Sequence, residues 1–151
     1  MSSNFYEAEL RERLQIAFAS CRVKEVGDSA PFFAQLMKTY PVRGSKIDWS
    51  RVPDSIERFE EEVERQAKLF MQFFSELIQR FHLAGDVTYV GDSATDFALA
   101  GSLEHITEVL PELLTIPQHH YLIGAEFSWC MCLTMEGDMG FGFRPSLTRI
   151  A

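Results

Sequence analysis

From Asp54 to Ala84 the chain contains neither glycine nor proline, and immediately beyond Gly85 its residue pattern changes character. Upstream, Ile56, Phe59, Val63, Phe70, Phe73, Phe74, Leu77, Ile78 and Phe81 recur at helical spacing and form a broad apolar stripe. Downstream, Val87-Thr88-Tyr89-Val90 is β-branched and aromatic and is bracketed by Gly85-Asp86 and Gly91-Asp92, which reads as a short strand. A stripe of this width must be buried against something, and strands follow it, so the chain is predicted to pack helices on a sheet. Asp54, with Glu57 three residues on, has the form of a helix cap. A helix over the whole stretch is about 43 Å long, which leaves room for a kink or a break. Glu57, Glu60, Glu61, Glu62 and Glu64 suit the positive end of such a helix and otherwise form a solvated face.

The flanking segments fit the same scheme. Asn4 and Glu7 form a capping pair ahead of Leu10, Leu14, Ala17, Phe18 and Cys21, predicting a helix over about 5–23 that Gly27 and Asp28 break. A second helix starts near Ser29, accepts Pro31 in its first turn and stops before Pro41. Residues 41–52 read as a loop, and 92–100 as a turn or short helical piece. Ser102 is the predicted cap of a helix running to about Leu114. Then come three strands, His120–Ile123, Phe127–Met135 and Met139–Phe143, joined by short turns into an antiparallel meander, with strand 87–90 at its edge. The tail from Pro145 is expected to be loosely held. The expected architecture over residues 1–151 is therefore a single α+β domain, with N-terminal helices packed on a small C-terminal antiparallel sheet.

Charge divides the chain. Between Arg80 and Arg144 there is no Lys or Arg, yet nine acids lie there, while the remainder carries 13 acids against 14 bases. The net charge of −8 thus sits in the C-terminal half. Such a field repels nucleic acid and anionic membranes and steers cationic partners inward. The hydrophobic fraction of 46% is too high for a disordered chain and ample for a core. No apolar run approaches the roughly 20 residues needed to span a bilayer. Three cysteines, two of them in Cys130-Met131-Cys132, do not read as a disulfide framework. With no apolar leader at the N-terminus, a reducing, cytoplasmic setting is expected.

Catalytic patterns are weak. Cys-x-Cys on a strand is poor spacing for zinc, and the adjacent His119 and His120 point to opposite faces, so no metal and no cofactor are expected. Thiols, histidines (including His105) and acids are scattered without a nucleophile elbow, and the glycines of Gly137-x-x-Gly140-x-Gly142 fall in a hairpin and the strand after it. Asp92 and Asp96 would share a face if helical and could then bind a divalent cation. The plainer reading is a turn cap and an exposed acid. No enzyme is expected. Trp129, with Met131 and Leu133, either lies under the helices or forms an exposed stripe beside Glu126, Glu136 and Asp138, the composition of an interface.

The run His119-His120-Tyr121-Leu122-Ile123-Gly124, Phe127-Ser128-Trp129-Cys130 and Glu136-Gly137-Asp138-Met139-Gly140-Phe141-Gly142 resembles the closing meander of bacterial toxin-immunity proteins. That resemblance implies stoichiometric inhibition of a toxin, often a basic nuclease, by an acidic surface laid over its active site. With the charge pattern, it makes a basic protein the expected partner, and Asp92, Asp96, Glu104, Glu108, Glu126, Trp129, Glu136 and Asp138 the expected contacts. The alternative is a structural or regulatory protein that forms a homodimer through its aromatic sheet face.

Overall fold

The computed structural model describes residues 5–145, so Asn4 and the tail after Pro145 lie outside the described residues. The chain opens with α1 (Phe5–Arg13) and α2 (Gln15–Ala19), then enters β1 (Val23–Asp28) and α3 (Ala30–Thr39). A two-residue hairpin, β2 (Val42–Arg43) and β3 (Lys46–Ile47), leads to a 3-10 turn at Trp49–Arg51 and to β4 (Ile56–Phe59). The long helix α4 (Val63–Phe81) follows, then β5 (Asp86–Gly91), β6 (Phe97–Ser102), α5 (Leu103–Leu113), β7 (His120–Gly124), β8 (Trp129–Leu133) and β9 (Asp138–Phe143).

Seven strands form one antiparallel sheet in the order β1-β6-β5-β7-β8-β9-β4. The α+β class and the β7–β8–β9 meander agree with expectation, and β5 does pair with β7. Two parts of the expected architecture need correction. The sheet is large, and helices are spread along the chain, with α4 and α5 beyond its N-terminal third.

Two local readings are overturned and a third is narrowed. The first helix stops early because Cys21 adopts a left-handed φ of 61° and turns the chain into β1, where Gly27 occupies a bulge instead of ending a helix. The long helix begins at Val63, not Asp54. Residues 56–59 pair with β9 instead, and Asp54, at φ 59°, turns the chain into that strand. The stretch 92–100 holds no helix; after a turn it becomes β6, whose Phe-Ala-Leu-Ala-Gly-Ser sequence is mostly small and largely buried. The loop expected over 41–52 contains the β2–β3 hairpin. The Ser102 cap is present, its hydroxyl accepting from the His105 N–H at 3.2 Å.

Both faces of the sheet are covered. On one, Leu122, Trp129, Met131, Leu133 and Phe141 pack against Phe70, Phe73, Phe74 and Leu77 of α4 and against α1, α2 and α5. On the other, Val90, Tyr121, Ile123, Cys130 and Cys132 pack against Leu36 and Tyr40 of α3 and its end and against Trp49 and Val52. All five residues of β8 are buried in consequence, so its apolar run needs no alternation. Among the described residues, no helix is long and apolar enough to cross a membrane.

Candidate functional site

The strand register decides where the acids go. β1, β4, β5 and β8 all finish at one end of the sheet, and β6, β7 and β9 all start there: Asp28 lies opposite Phe97, Gly91 opposite His120, and Phe59 opposite Asp138. Five connections therefore cross this end, at residues 28–29, 60–62, 92–96, 114–119 and 134–138, and none contains Lys or Arg. They carry Asp28, Glu60, Glu61, Glu62, Asp92, Asp96, Glu136 and Asp138. With strands about 4.8 Å apart, seven of them spread this acidic rim over roughly 29 Å. The positive N-terminal end of α4 also opens here, which favours Glu62 and Glu64 beside it.

Hydrogen bonds tie the connections together. Asp92 Oδ1 accepts from the His119 backbone N–H at 2.9 Å, and His119 Nδ1 accepts from the Met135 N–H at 2.9 Å. Gln118, 1% exposed, holds the 92–96 turn from beneath: its Oε1 accepts from the N–H groups of Ser93, Ala94 and Thr95 at 3.3, 2.8 and 3.1 Å. Its amide donates to Tyr89 Oη and Thr95 Oγ1, each at 3.0 Å. The buried Glu7 carboxylate reaches across from α1 and accepts from the Asp96 N–H at 2.6 Å. The Glu60 N–H donates to the Gly137 carbonyl at 3.1 Å, joining the β4–α4 connection to the β8–β9 turn.

Of the expected contact residues, the fold gathers Asp92, Asp96, Glu136 and Asp138 on this rim, all exposed. They do not share a helix face; Asp92 pins a turn, and Asp96 is exposed at its far side. Glu104 and Glu108 lie on the exposed side of α5, where Glu108 pairs with Arg22 at 3.3 Å. Glu126 sits in the β7–β8 connection at the opposite end of the sheet. Trp129 is not available to a partner. It is 4% exposed, with Phe74 of α4 and Phe141 as ring neighbours at 6.4 and 6.1 Å, so the exposed Trp-Met-Leu stripe and the aromatic dimer face expected on it are absent.

Sequence reasoning does not place Asp28 or Glu60–Glu62 on the rim, because it takes Gly27-Asp28 as a helix break and residues 56–62 as part of the long helix, where the structure has β1, β4 and the connection after β4. It also missed that bases from the N-terminal half partly neutralise the acidic one. Arg13 pairs with Glu112 at 3.0 Å and Lys46 with Glu136 at 2.9 Å, and the Lys46 ammonium holds the Glu136 carboxyl below its usual range.

Burial favours the neutral forms of Cys130, Cys132 and His120. Burial pushes the Cys130 thiol well up and that of Cys132 to about 11, so neither is a thiolate near neutrality. Burial lowers His120 to about 4, with the Tyr89 hydroxyl 2.7 Å from its Nδ1. Among the described residues no group of three or more His, Cys, Asp or Glu side chains is arranged to hold a metal ion.

No protein-family model matches this chain, and no curated protein matches it in sequence.

Proposed function

We propose that this protein is a binding protein that docks a basic protein partner on the acidic end of its sheet and inhibits it, in the manner of a bacterial toxin-immunity protein. The observation that carries the reading is the convergence of five base-free connections, from distant parts of the chain, on one rim bearing eight acids. A rim of about 29 Å matches the breadth of a standard interface patch of roughly 800 Å² per partner. Cross-bonded turns hold it in shape, so little ordering is needed on binding. The likeness of the closing meander to immunity proteins supports inhibition as the consequence of docking, with a nuclease as a fitting target because its nucleic-acid groove is cationic.

The test is to isolate the partner that co-purifies with the protein at low salt and assay the partner's activity against increasing protein. Inhibition complete at a one-to-one ratio and relieved by high salt is expected. A partner that is acidic, or one whose activity is unaffected at saturation, contradicts the proposal.

A further inference from the structure

Beside the rim, a cavity of about 340 Å³ opens between the β2–β3 hairpin and the sheet. Its aromatic wall is Trp49, fixed by three features. Asp48 caps the 3-10 turn, accepting from the Ser50 N–H at 3.2 Å; the indole packs in one buried cluster with Cys132; and the ring lies flush on Gly140, where a Cβ would come within 2.1 Å of Nε1. Any side chain at 140 would displace the ring.

Two carboxylates flank this wall. Glu57 lies opposite Gly140 and Asp138 opposite Phe59, so both line the cavity from one sheet face as diagonal neighbours about 7–8 Å apart. Among the described residues neither has an ion-pair partner. Of the bases lining the cavity, Lys46 is paired with Glu136 at 2.9 Å, while the Arg43 side chain is 84% exposed and lies 3.9 Å from Asp48.

The independent observation is Tyr121. This side chain is 1% exposed and lines the cavity, and no group among the described residues hydrogen-bonds its hydroxyl. A buried phenol ordinarily finds a partner. Its oxygen is not sealed off either, since no fully buried side-chain N or O atom lacks a partner. The Tyr121 side chain thus borders the cavity with a hydroxyl that is not fully sealed and has no hydrogen-bond partner among the described residues.

An aromatic border, two carboxylates without an ion-pair partner among the described residues, of which Asp138 accepts from the Thr134 hydroxyl at 3.4 Å, and a hydroxyl without a partner among those residues together suit a flat cation with several N–H donors. We infer that this cavity receives an arginine side chain of the basic partner, its guanidinium set beside the part of Trp49 that borders the cavity, a side chain 7% exposed, paired with Glu57 and Asp138, and donating to the Tyr121 hydroxyl. This rests on the reading of the rim as a docking surface and adds the residue that would anchor the partner there.

The test uses acetyl-Gly-Arg-Gly-amide and its citrulline counterpart, neutral but of the same shape, followed through the two tryptophan indole N–H signals by NMR. The arginine peptide is expected to shift the Trp49 signal saturably and leave that of Trp129, buried on the far face, in place. Citrulline should bind about tenfold more weakly or worse, and Glu57→Gln with Asp138→Asn should remove the difference. An unmoved Trp129 signal reports that this variant is folded. Equal binding of the two peptides, or an arginine shift that survives in the variant, overturns the inference. So does agmatine binding about tenfold tighter than the peptide, which would assign the cavity to a free amine. A rim variant outside the cavity, Glu61→Gln with Asp96→Asn, separates the two claims. Partner capture unaffected by it, with the arginine shift intact, contradicts the rim; capture reduced by it, with no arginine shift in the parent protein, contradicts the cavity alone.

Discussion

Asp92 accepts a hydrogen bond from the backbone N–H of His119 at 2.9 Å, which fastens the β5–β6 turn to the start of β7. Its second oxygen lies 3.9 Å from His119 Nε2. Gln118 completes this junction from below, and its single carbonyl oxygen serves three backbone donors.

Replacing Gln118 with Leu therefore leaves those donors without their acceptor and the Tyr89 and Thr95 oxygens without their donor. An expected loss of about 2–3 kcal/mol follows from the cost of unsatisfied buried groups. Urea unfolding checks it. A change below about 0.5 kcal/mol, the range of an ordinary surface substitution, contradicts the structural role assigned to Gln118.

His120 makes stability depend on pH in one direction. Its folded pKa of about 4 lies below the ordinary 6.5 because burial disfavours the charged ring. Above pH 6.5 the ring is neutral in both states and its contribution is fully present. As pH falls from 6.5 to about 4, unfolded chains take up a proton that the folded chain does not, and stability is lost. The loss attributable to this ring approaches about 3 kcal/mol across that window. Comparing urea midpoints of the parent and His120→Gln at pH 7.0 and 4.5 isolates it from the carboxylates. The variant should lose distinctly less stability between the two pH values, and identical losses contradict the assignment.

Thiol accessibility checks the double coverage of the sheet. Cys21 is exposed, whereas Cys130 and Cys132 are buried between β8 and the α3 layer. Under native conditions a disulfide reagent such as DTNB should titrate one thiol rapidly, and three after denaturation. Three fast thiols in the native protein would mean that α3 and Trp49 do not cover that face.

The apolar stripe from Phe70 to Phe81, the Ser102 cap and the closing meander were legible because each depends on local spacing. β1 and β4 were not. β1 is an edge strand with one buried residue, Val23, followed by Lys24, Glu25, an exposed Val26, Gly27 and Asp28, which carry no alternating pattern. In β4, Ile56-Glu57-Arg58-Phe59 continues the helical register of α4, and only pairing with β9 makes it a strand. The site was half legible for the same reason. Asp92, Asp96, Glu136 and Asp138 stand out as acids without bases, but their meeting at one end depends on strand direction and register. Trp129 looked like an anchor because composition does not reveal that α4 covers it, and the Trp49–Gly140 contact joins residues about ninety positions apart in the chain.

The most direct test of the acidic rim is the association rate of the captured partner with the parent protein and with Glu61→Gln, Asp96→Asn, Glu136→Gln, measured from 50 to 500 mM salt. Steering by the rim predicts a parent rate that falls steeply with salt, and a variant rate about tenfold lower at low salt that converges with the parent at high salt. Equal rates and equal salt slopes for the two proteins would contradict the assignment of this end of the sheet as the docking surface.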